Sequence, residues 1–359
     1  MTARPDPPLE PLDTSEEVVT HAWKPLREIA KYSAVAIVML VAFLLLRKKL
    51  KEILWSDFVG GLNDIWTERP LWLLAAVLLT ALNYLVLTGY DFIAVRYLKK
   101  QLSIRRIMIG AIAGYALSNV FGWIFGGTAV RYRLYTSWGF SFKEIVAFVS
   151  ILSLTFWLGL FLLAGVAFVA FEVTLPPEVA ENTVLSPRVW GWLFLAAVAG
   201  YLVACAFWRQ PIRWGTDEFR LPPVSLSIQQ LLVSAADFAL ASLVLFVLLP
   251  PGLSTGNGWD FFSTVLVAYL AGMIVTVTLH VPGGFGILDL ILLYMLLGPE
   301  PTGEPSPAWV GQKAAVAAAL VLFRVIYYFL PALVAGLLLV WNEVEMRALA
   351  RPKLIKPAA

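Results

Sequence analysis

GWIFGG at residues 122–127 and HVPGGFG at residues 280–286 decide how this chain folds, because each breaks an apolar region near its middle. The two regions, 107–144 and 262–297, have arms that are mostly too short, too polar or too broken to form full membrane spans. Glycine permits a sharp turn and the close approach of another backbone or a ligand. Each region is therefore predicted to form a hairpin with a glycine break at its centre.

The composition of the whole chain requires a membrane. Of its 359 residues, 60% are hydrophobic and 14% are charged, and the mean hydropathy is +0.78. A soluble globular protein is about half apolar and about a quarter charged. These values exclude a soluble enzyme, a disordered chain and a nucleic-acid-binding module. The chain is predicted to be an all-α polytopic membrane protein.

Six further apolar stretches are long enough to cross a bilayer, since a helix rises about 1.5 Å per residue and the hydrocarbon core is about 30 Å thick. The predicted spans are 29–46, 70–95, 145–171, 190–208, 226–249 and 313–341. The predicted fold thus has about six full transmembrane helices and two re-entrant hairpins. Between the first two spans, charged and large apolar residues alternate in 47–69, which indicates an amphipathic helix lying at the membrane interface.

The distribution of basic residues predicts the orientation of the chain. If the N-terminal tail is cytoplasmic, 19 of the 27 lysines and arginines lie on the cytoplasmic side, seven lie outside and Arg324 lies within a span. The positive-inside rule then places both termini in the cytoplasm. The first hairpin enters and returns from the cytoplasm, and the second from the opposite face. The predicted domains are a cytosolic tail at 1–28, a membrane domain at 29–341 and a basic cytosolic tail at 342–359.

The order of elements repeats within the membrane domain. Repeat A, at about 70–171, and repeat B, at about 226–341, each consist of a span, a glycine-broken hairpin and another span. The charge rule starts the two repeats on opposite faces, so the repeat is predicted to be inverted. Inverted repeats with broken helices are typical of alternating-access transporters that bind substrate near the bilayer midplane.

The first glycine break carries a candidate phosphate site. A helix that starts after such a break offers free N–H groups and the positive end of its dipole. Gly126 and Gly127 are followed by Arg131 and Arg133, whose planar guanidinium groups suit a phosphodiester. This pattern predicts a site for a lipid phosphate. The alternative is that both arginines only obey the positive-inside rule and contact headgroups.

Ionisable residues inside spans are costly and therefore mark candidate functional sites. Arg324 lies at the centre of the last predicted span and cannot lose its proton, so it needs an acidic partner. Asp237 and Asp289 are the candidates, and a purely structural ion pair is the alternative to a functional one. Asp91 is closely followed by basic residues and is expected to lie near the interface.

Several other polar residues have less specific predictions. His280, before the second break, could couple protons because histidine titrates near neutral pH, but a hydrogen-bonded structural role is the more common one. Glu144 is predicted to be a charge at a helix N-terminus rather than a substrate ligand. Asn83, Ser118 and Asn119 are expected to line the cavity and to bond between helices.

Two motifs in the predicted order also carry a family resemblance. GYALSNVFGWIFGGTAVRYRLYTSWGFS (114–141) and HVPGGFGILD (280–289) resemble the transmembrane flippase domain of lysylphosphatidylglycerol synthases, over roughly residues 30–345. The resemblance implies a bacterial inner-membrane protein that moves aminoacylated phosphatidylglycerol between leaflets and so contributes to resistance against cationic antimicrobial peptides. The positions that it implies as functional are Gly126, Gly127, Arg131, Arg133, Pro282, Gly283, Gly284, Gly286 and Asp289.

The chain differs from the bifunctional members of that family, because no soluble aminoacyl-transferase domain follows the membrane region. A separate transferase would then make the lipid, or the substrate is a different lipid. The predicted function is a lipid translocase rather than an enzyme, with no cofactor and no nucleic acid; a homodimer is left open. The alternatives are a transporter of another polar or glycosylated lipid or of an anion, and a membrane-embedded lipid transferase. The last would need a base or paired carboxylates, and the apolar segments contain no DxxD or HxxxD pattern.

Overall fold

A computed structural model describes residues 55–173, 185–208, 210–214, 217–253, 257–299, 301 and 305–350. The predicted tail 1–28 and the predicted span 29–46 lie outside these residues. Within the described part, six helices are long and apolar enough to cross a membrane. The fold is that of an all-helical, multi-pass membrane protein, with one short pair of strands.

The helices and strands follow one another in the chain with short connections. The helices are α1 (Trp55–Glu68), α2 (Pro70–Tyr97), α3 (Ile104–Phe121), α4 (Ala129–Ser137), α5 (Phe142–Ala170), α6 (Pro187–Phe207), α7 (Val224–Leu248), α8 (Gly258–Thr278), α9 (Ile287–Leu297), α10 (Pro307–Phe323) and α11 (Leu330–Ala350). Strands β1 (Ile212–Trp214) and β2 (Asp217–Phe219) pair antiparallel between α6 and α7. Wide π turns lie at Trp123–Thr128 and Arg324–Phe329, and 3₁₀ turns at Pro251–Leu253 and Pro282–Gly284.

Helices α2, α5, α6 and α7 confirm four of the predicted spans to within a few residues. Serine caps set several of the helix starts: Ser141, Ser186 and Ser306 each accept a backbone N–H with the side chain. The last predicted span, 313–341, is longer in the structure, because α10, the π turn and α11 form a continuous helix. That helix extends to Ala350, so the first part of the predicted tail 342–359 is helical.

The two glycine-broken regions form helix pairs of unequal arms. In the first, α3 has 18 residues and α4 has nine. In the second, α8 has 21 residues and α9 has 11. The arms were expected to be mostly too short, too polar or too broken for full spans. Helix α8 is an exception that is long enough to cross a membrane, because Asn257 caps it early and the apolar run continues to Thr278. That the two pairs are re-entrant in the membrane stays a prediction, as does the inverted repeat.

The core of the bundle is the contact between α2 and α7. Helix α5 packs on α7 and on α6, and α11 packs along α3. The predicted amphipathic segment contains α1, which lies on α10 with Gly61 close to the Ala315 backbone. Ile65 of α1 is buried while Trp66 is exposed. The amphipathic character of the segment stays a prediction, as does its position at the membrane interface.

Both ends of the first hairpin lie beside one turn of α11. Arg105, at the start of α3, forms an ion pair with Glu345, and Arg133 of α4 forms one with Glu343 at 3.1 Å. Segments 96–106, 127–144 and the start of 342–359 therefore meet at one end of the bundle, as the basic residues predict.

The opposite end gathers segments that were predicted to be external. Arg69, before α2, donates hydrogen bonds to the carbonyl groups of Leu249 and Val247 at 2.9 and 3.2 Å. The rings of Phe171 and Trp259 contact each other edge to face. The relative sidedness of these segments therefore agrees with the charge distribution. That the first end faces the cytoplasm stays a prediction.

Candidate functional site

The first glycine break holds a buried ion pair. Arg131 of α4 and Asp91 of α2 are almost completely buried, and Arg131 Nη2 lies 3.1 Å from Asp91 Oδ1. The Tyr135 hydroxyl donates to Asp91 Oδ2 at 2.7 Å. The Arg131 guanidinium lies over the Tyr115 ring, 4.2 Å from its centroid, and its Nη1 has no hydrogen-bond partner within the described residues. Asp91 is thus buried within the bundle, where Arg131 compensates its charge. Its expected depth near the membrane interface stays a prediction.

Glycines on α3 make room for this pair. A Cβ atom at Gly114 would overlap the Arg131 guanidinium, and one at Gly110 would overlap the Tyr135 ring. The spacing of the two glycines is the small-xxx-small pattern that lets membrane helices approach closely. The spacing of Gly110 and Gly114 is therefore the feature of the sequence that indicates this close packing.

Arg133 does not join Arg131. Residues two apart on a helix point in different directions, and the Arg133 side chain is 77% exposed beside Glu343. Gly126 and Gly127 are buried, and a Cβ atom at Gly126 would overlap the Leu117 carbonyl. The structure thus places one arginine of the predicted phosphate site inside the bundle and the other on its surface.

The second glycine break holds a matching ion pair. Arg324 Nη2 lies 3.1 Å from both carboxylate oxygens of Asp289. The same guanidinium donates to the carbonyl groups of Gly283 and Gly284. Asp289 also accepts the backbone N–H of Gly286 at 3.0 Å and so caps α9. Of the two acids predicted as partners of Arg324, Asp289 is the one that pairs with it.

The backbone at the second break explains its sequence. Gly283, Gly284 and Gly286 all have positive φ angles, which glycine adopts at little cost. Pro282 begins the 3₁₀ turn of this break. Arg324 is the first residue of a π turn, a wide helical turn that is frequent at functional sites. Its guanidinium lies 4.7 Å from the ring centroids of both Phe285 and Tyr328.

Asp237 lies between the two ion pairs, at the contact of α2 and α7. Asn83 Nδ2 donates to Asp237 Oδ1 at 2.9 Å and to its backbone carbonyl at 2.8 Å. The Tyr90 hydroxyl donates to Oδ2 at 2.8 Å. Asn83 is held in turn by the Tyr327 hydroxyl, which donates to its Oδ1 at 2.9 Å. Within the described residues, Asp237 forms no ion pair.

The two glycine breaks meet inside the bundle. Gly283 lies so close to the Asn119 carbonyl, near the end of α3, that a Cβ atom there would overlap it. Asn119 Nδ2 donates to the Tyr84 hydroxyl at 3.2 Å, and Tyr84 is in edge-to-face contact with Tyr327. Polar side chains thus connect the centre of the bundle with the second break.

Other predicted residues lie outside this buried network. His280 is exposed, and its Nδ1 lies 3.0 Å from the Thr278 carbonyl. Glu144 forms a capping box with Ser141, which confirms it as a helix N-terminal charge. Ser118 Oγ is buried and lacks a hydrogen-bond partner among the described residues. In the same part of the chain, no three His, Cys, Asp or Glu side chains come together as a metal site would require.

An apolar groove opens beside the network. Its volume is about 480 Å³. Gly89 and Phe92 of α2 line it, next in sequence to the buried Tyr90 and Asp91. The remaining lining residues are Leu85, Val86, Thr88, Ile104, Ile107, Met108, Leu232, Val233 and Ala236. The groove therefore lies between α2, α3 and α7.

Comparison with known proteins supports a membrane assignment. The chain is 31% identical over 311 residues to the uncharacterized protein slr0712 of Synechocystis, covering 86% of this chain and 90% of that protein. It is 27% identical over 261 residues to the phosphatidylglycerol lysyltransferase of Staphylococcus aureus, covering 71% of this chain but 28% of that protein. No protein-family model matches the chain.

A further relative covers nearly its whole length. The inner membrane protein YbhN of Escherichia coli is 30% identical over 303 residues, which are 83% of this chain and 88% of that protein. Identity of this extent across most of both proteins indicates a shared fold. The chain belongs to the family that contains YbhN and slr0712.

Proposed function

We propose that the chain is a lipid translocase that moves a phospholipid with a charged headgroup, such as aminoacylated phosphatidylglycerol, between the leaflets of the bacterial inner membrane. The observation that carries the proposal is the meeting of the two glycine breaks around buried, paired charges. Non-helical backbone is tolerated at membrane depth only where protein or a wet cavity surrounds it. The breaks are therefore suited to form a headgroup path.

The charge arrangement favours a headgroup that carries both signs. Arg131 is compensated by Asp91, and Arg324 by Asp289. An anion that bound either arginine would leave an aspartate unpaired in a low dielectric, which costs several kcal/mol. A headgroup with a phosphate and an ammonium group can replace both partners, the phosphate at the arginine and the ammonium at the aspartate. Aminoacylated phosphatidylglycerol has this chemistry.

The arginines of the first break have different roles in the proposed path. Arg133 is exposed at the end of the bundle, where it can contact the phosphate of a lipid in the adjacent leaflet. Arg131 is buried, and its Nη1, which has no hydrogen-bond partner in the part of the chain that the structure describes, is available to donate to a phosphate oxygen. Gly126 and Gly127 belong to the π turn that precedes both arginines, and Gly283 and Gly284 belong to the 3₁₀ turn of the other break.

The acyl chains need an apolar route beside the headgroup. The groove of about 480 Å³ between α2, α3 and α7 is lined almost entirely by apolar side chains. Helices α2 and α7, which carry Asp91 and Asp237 of the buried network, also form two walls of the groove. An acyl chain in the groove would therefore lie along the helices that hold the network. This arrangement supports a lipid over a small soluble anion, which has no use for such a groove.

The comparisons support a lipid-related function. The matched part of the Staphylococcus aureus protein, named for transfer of lysine to phosphatidylglycerol, is 28% of its length. We infer that this chain shares the membrane part of such proteins and carries out no transfer reaction itself. A separate transferase would supply the aminoacylated lipid. Transfer of that lipid to the outer leaflet would reduce its negative charge and weaken the binding of cationic peptides.

Reconstitution tests the proposal. The full chain is placed in liposomes containing fluorescent phosphatidylglycerol, lysyl-phosphatidylglycerol or a neutral lipid, and dithionite quenching measures exchange between leaflets. We expect faster exchange of the lysyl lipid than of the neutral one. No acceleration with any lipid would overturn the proposed function, whereas equal acceleration of all three lipids would overturn the proposed headgroup.

Two exposed arginines provide a matched comparison for the site. Arg133→Gln should slow exchange of the charged lipids, because it removes the surface phosphate contact. Arg105→Gln removes a similar exposed arginine that also pairs with α11, and it should leave the rate near that of the unmodified chain. Equal rates for the two variants would contradict the assignment of Arg133.

A further inference from the structure

Asp237 is a buried acid whose hydrogen-bond donors are both neutral. It is the fourteenth of the 25 residues of α7 and is 6% exposed. Its carboxylate accepts hydrogen bonds from Asn83 and Tyr90, and no cationic side chain among the described residues forms an ion pair with it. The other two acids of the buried network, Asp91 and Asp289, each have an arginine. Asp237 thus differs from them in its charge balance.

Within the described residues, the side chains that interact with Asp237 are neutral. Besides Tyr90, which is hydrogen-bonded to it, tyrosines of α2, α3, α8 and the π turn interact electrostatically with the Asp237 carboxylate: Tyr84, Tyr115, Tyr269 and Tyr327. From α5, Phe156 packs on the neighbouring Phe238. The arginines of the two glycine breaks, Arg131 and Arg324, are engaged by Asp91 and Asp289. Burying an ionised carboxylate without a counter-ion is unfavourable in free energy. Asp237 is therefore expected to bind a cation or a proton.

The hydrogen bonds around Asp237 can serve both protonation states. When Asp237 is ionised, the Tyr90 hydroxyl donates a hydrogen bond to its carboxylate at 2.8 Å. When Asp237 is protonated, the carboxylic acid can donate instead, and the Tyr90 hydroxyl oxygen accepts. Asn83 remains a donor in both cases, because Tyr327 fixes the orientation of its amide. The site can therefore gain or lose a proton without movement of heavy atoms.

The neighbours of Asp237 connect it to both glycine breaks. Tyr90 contacts Tyr115 edge to face, and Tyr115 lies under the guanidinium of Arg131. Asn83 bonds to Tyr327, which lies in the π turn that begins at Arg324. A change of charge at Asp237 therefore alters the surroundings of the arginine at each break. This is the position that a coupling group requires in an alternating-access transporter.

We propose that Asp237 binds and releases a proton during each transport cycle, so that a proton gradient drives lipid movement. The proposal rests on the proposed function for its coupling step, although proton binding itself does not. A proton moves between water and the Asp237 carboxylate, and no other bond forms or breaks. Binding of a sodium ion at the same carboxylate is the alternative, and a sodium gradient distinguishes it from proton binding.

Proton binding can be measured without transport. Infrared spectra of the full chain in lipid, recorded over a range of pH, should contain a carbonyl band of a protonated carboxylic acid that disappears as the pH rises. Asp237→Asn should remove this band. Asp260→Asn changes an exposed acid at the start of α8 and should retain it. A spectrum of Asp237→Asn identical to that of the unmodified chain would overturn the proposal, whatever the outcome of the lipid assay.

Coupling is measured in the liposome assay with an imposed pH difference. We expect the gradient to accelerate exchange several-fold in the unmodified chain, in Asp260→Asn and in His280→Gln, and to have no effect on Asp237→Asn. A response that persists in Asp237→Asn, or that follows a sodium gradient instead, would overturn the proposal. If no lipid moves in any chain while the infrared band titrates, the proposed function fails and the proton site stands.

Discussion

Asn83 and Asp237 are hydrogen-bonded across the contact of α2 and α7, and each is the fourteenth residue of its helix. Helix α2 opens predicted repeat A and α7 opens predicted repeat B, so the bond joins equivalent positions of the two repeats. An inverted repeat produces contacts between equivalent positions on its axis. The bond is therefore a contact of the kind that the predicted symmetry would produce, and it lies within the candidate site.

Asn83→Leu should destabilise the protein. The change removes three hydrogen bonds, to the Asp237 side chain, to its backbone carbonyl and to the Tyr327 hydroxyl. At roughly 0.6 kcal/mol for an interhelical hydrogen bond in a membrane protein, the expected loss is about 2 kcal/mol. The free energy of unfolding in mixed detergent micelles measures it. Ser150→Ala is the control, since this serine bonds only to its own helix; an equal loss in both variants would contradict the central role of Asn83.

Asp91→Asn should lower the free energy of unfolding more than Asn83→Leu does, because it leaves the buried charge of Arg131 without a counter-ion. Breaking a buried ion pair by removing one partner costs about 3–5 kcal/mol. The double variant Asp91→Asn, Arg131→Gln removes both charges and should recover most of that loss. The same unfolding measurement on the two single variants and the double variant gives the interaction energy of the pair.

An exposed ion pair provides the comparison. Glu343→Gln removes the partner of Arg133, and exposed pairs contribute less than about 1 kcal/mol. We expect the free energy of unfolding of this variant to be close to that of the unmodified chain. A double variant of Asp91 and Arg131 that is no more stable than Asp91→Asn alone would show that the buried pair is not what the substitution breaks.

Much of the helical architecture could be predicted from the sequence. The length of the apolar stretches was sufficient to predict α2, α5, α6 and α7, because a membrane-spanning helix needs only about 20 apolar residues. It failed for α8, where the capping residue Asn257 lies outside the apolar run and extends the helix. The charge distribution predicted which loops lie at the same end, as the pairing of Arg105 and Arg133 with α11 demonstrates.

The site was predicted less completely than the helices. Arg131, Asp237, Asp289 and Arg324 stood out because charges are rare in the apolar segments. The pairing of Arg131 with Asp91 could not be predicted, since it depends on how α4 folds back against α2. Tyrosines form much of the network. Because tyrosine is generally enriched at membrane–water interfaces, its presence in the sequence does not indicate a buried network.

Gly126→Ala should distort the first break. A Cβ atom there would overlap the backbone carbonyl of Leu117, which cannot move without shifting α3. Overpacking of this kind costs about 1–3 kcal/mol. Gly200→Ala on α6 is the matched control, because a Cβ atom at that position meets nothing within 4 Å, and alanine favours a helix over glycine. Unfolding measurements should show a loss for the first variant and none for the second; equal stability would contradict the close packing of the break.

The orientation of the bundle predicts which ends an impermeant reagent can reach. In a Cys205→Ser background, Thr136→Cys lies at the end that carries Arg133, and Asp260→Cys lies at the opposite end, beside Trp259. Both native side chains are exposed, so both cysteines should react once the membrane is opened. In sealed right-side-out inner-membrane vesicles, we expect an impermeant maleimide to label Asp260→Cys and to leave Thr136→Cys unlabelled.

Inside-out vesicles provide the control, because they should reverse the labelling pattern. The expected result follows from the 19 basic residues assigned to the cytoplasmic side, since translocating lysine and arginine against the membrane potential is unfavourable. Labelling of Thr136→Cys alone in right-side-out vesicles would show that the chain has the opposite orientation. Arg133 would then face the outer leaflet, and it would contact the transported lipid on release rather than on uptake.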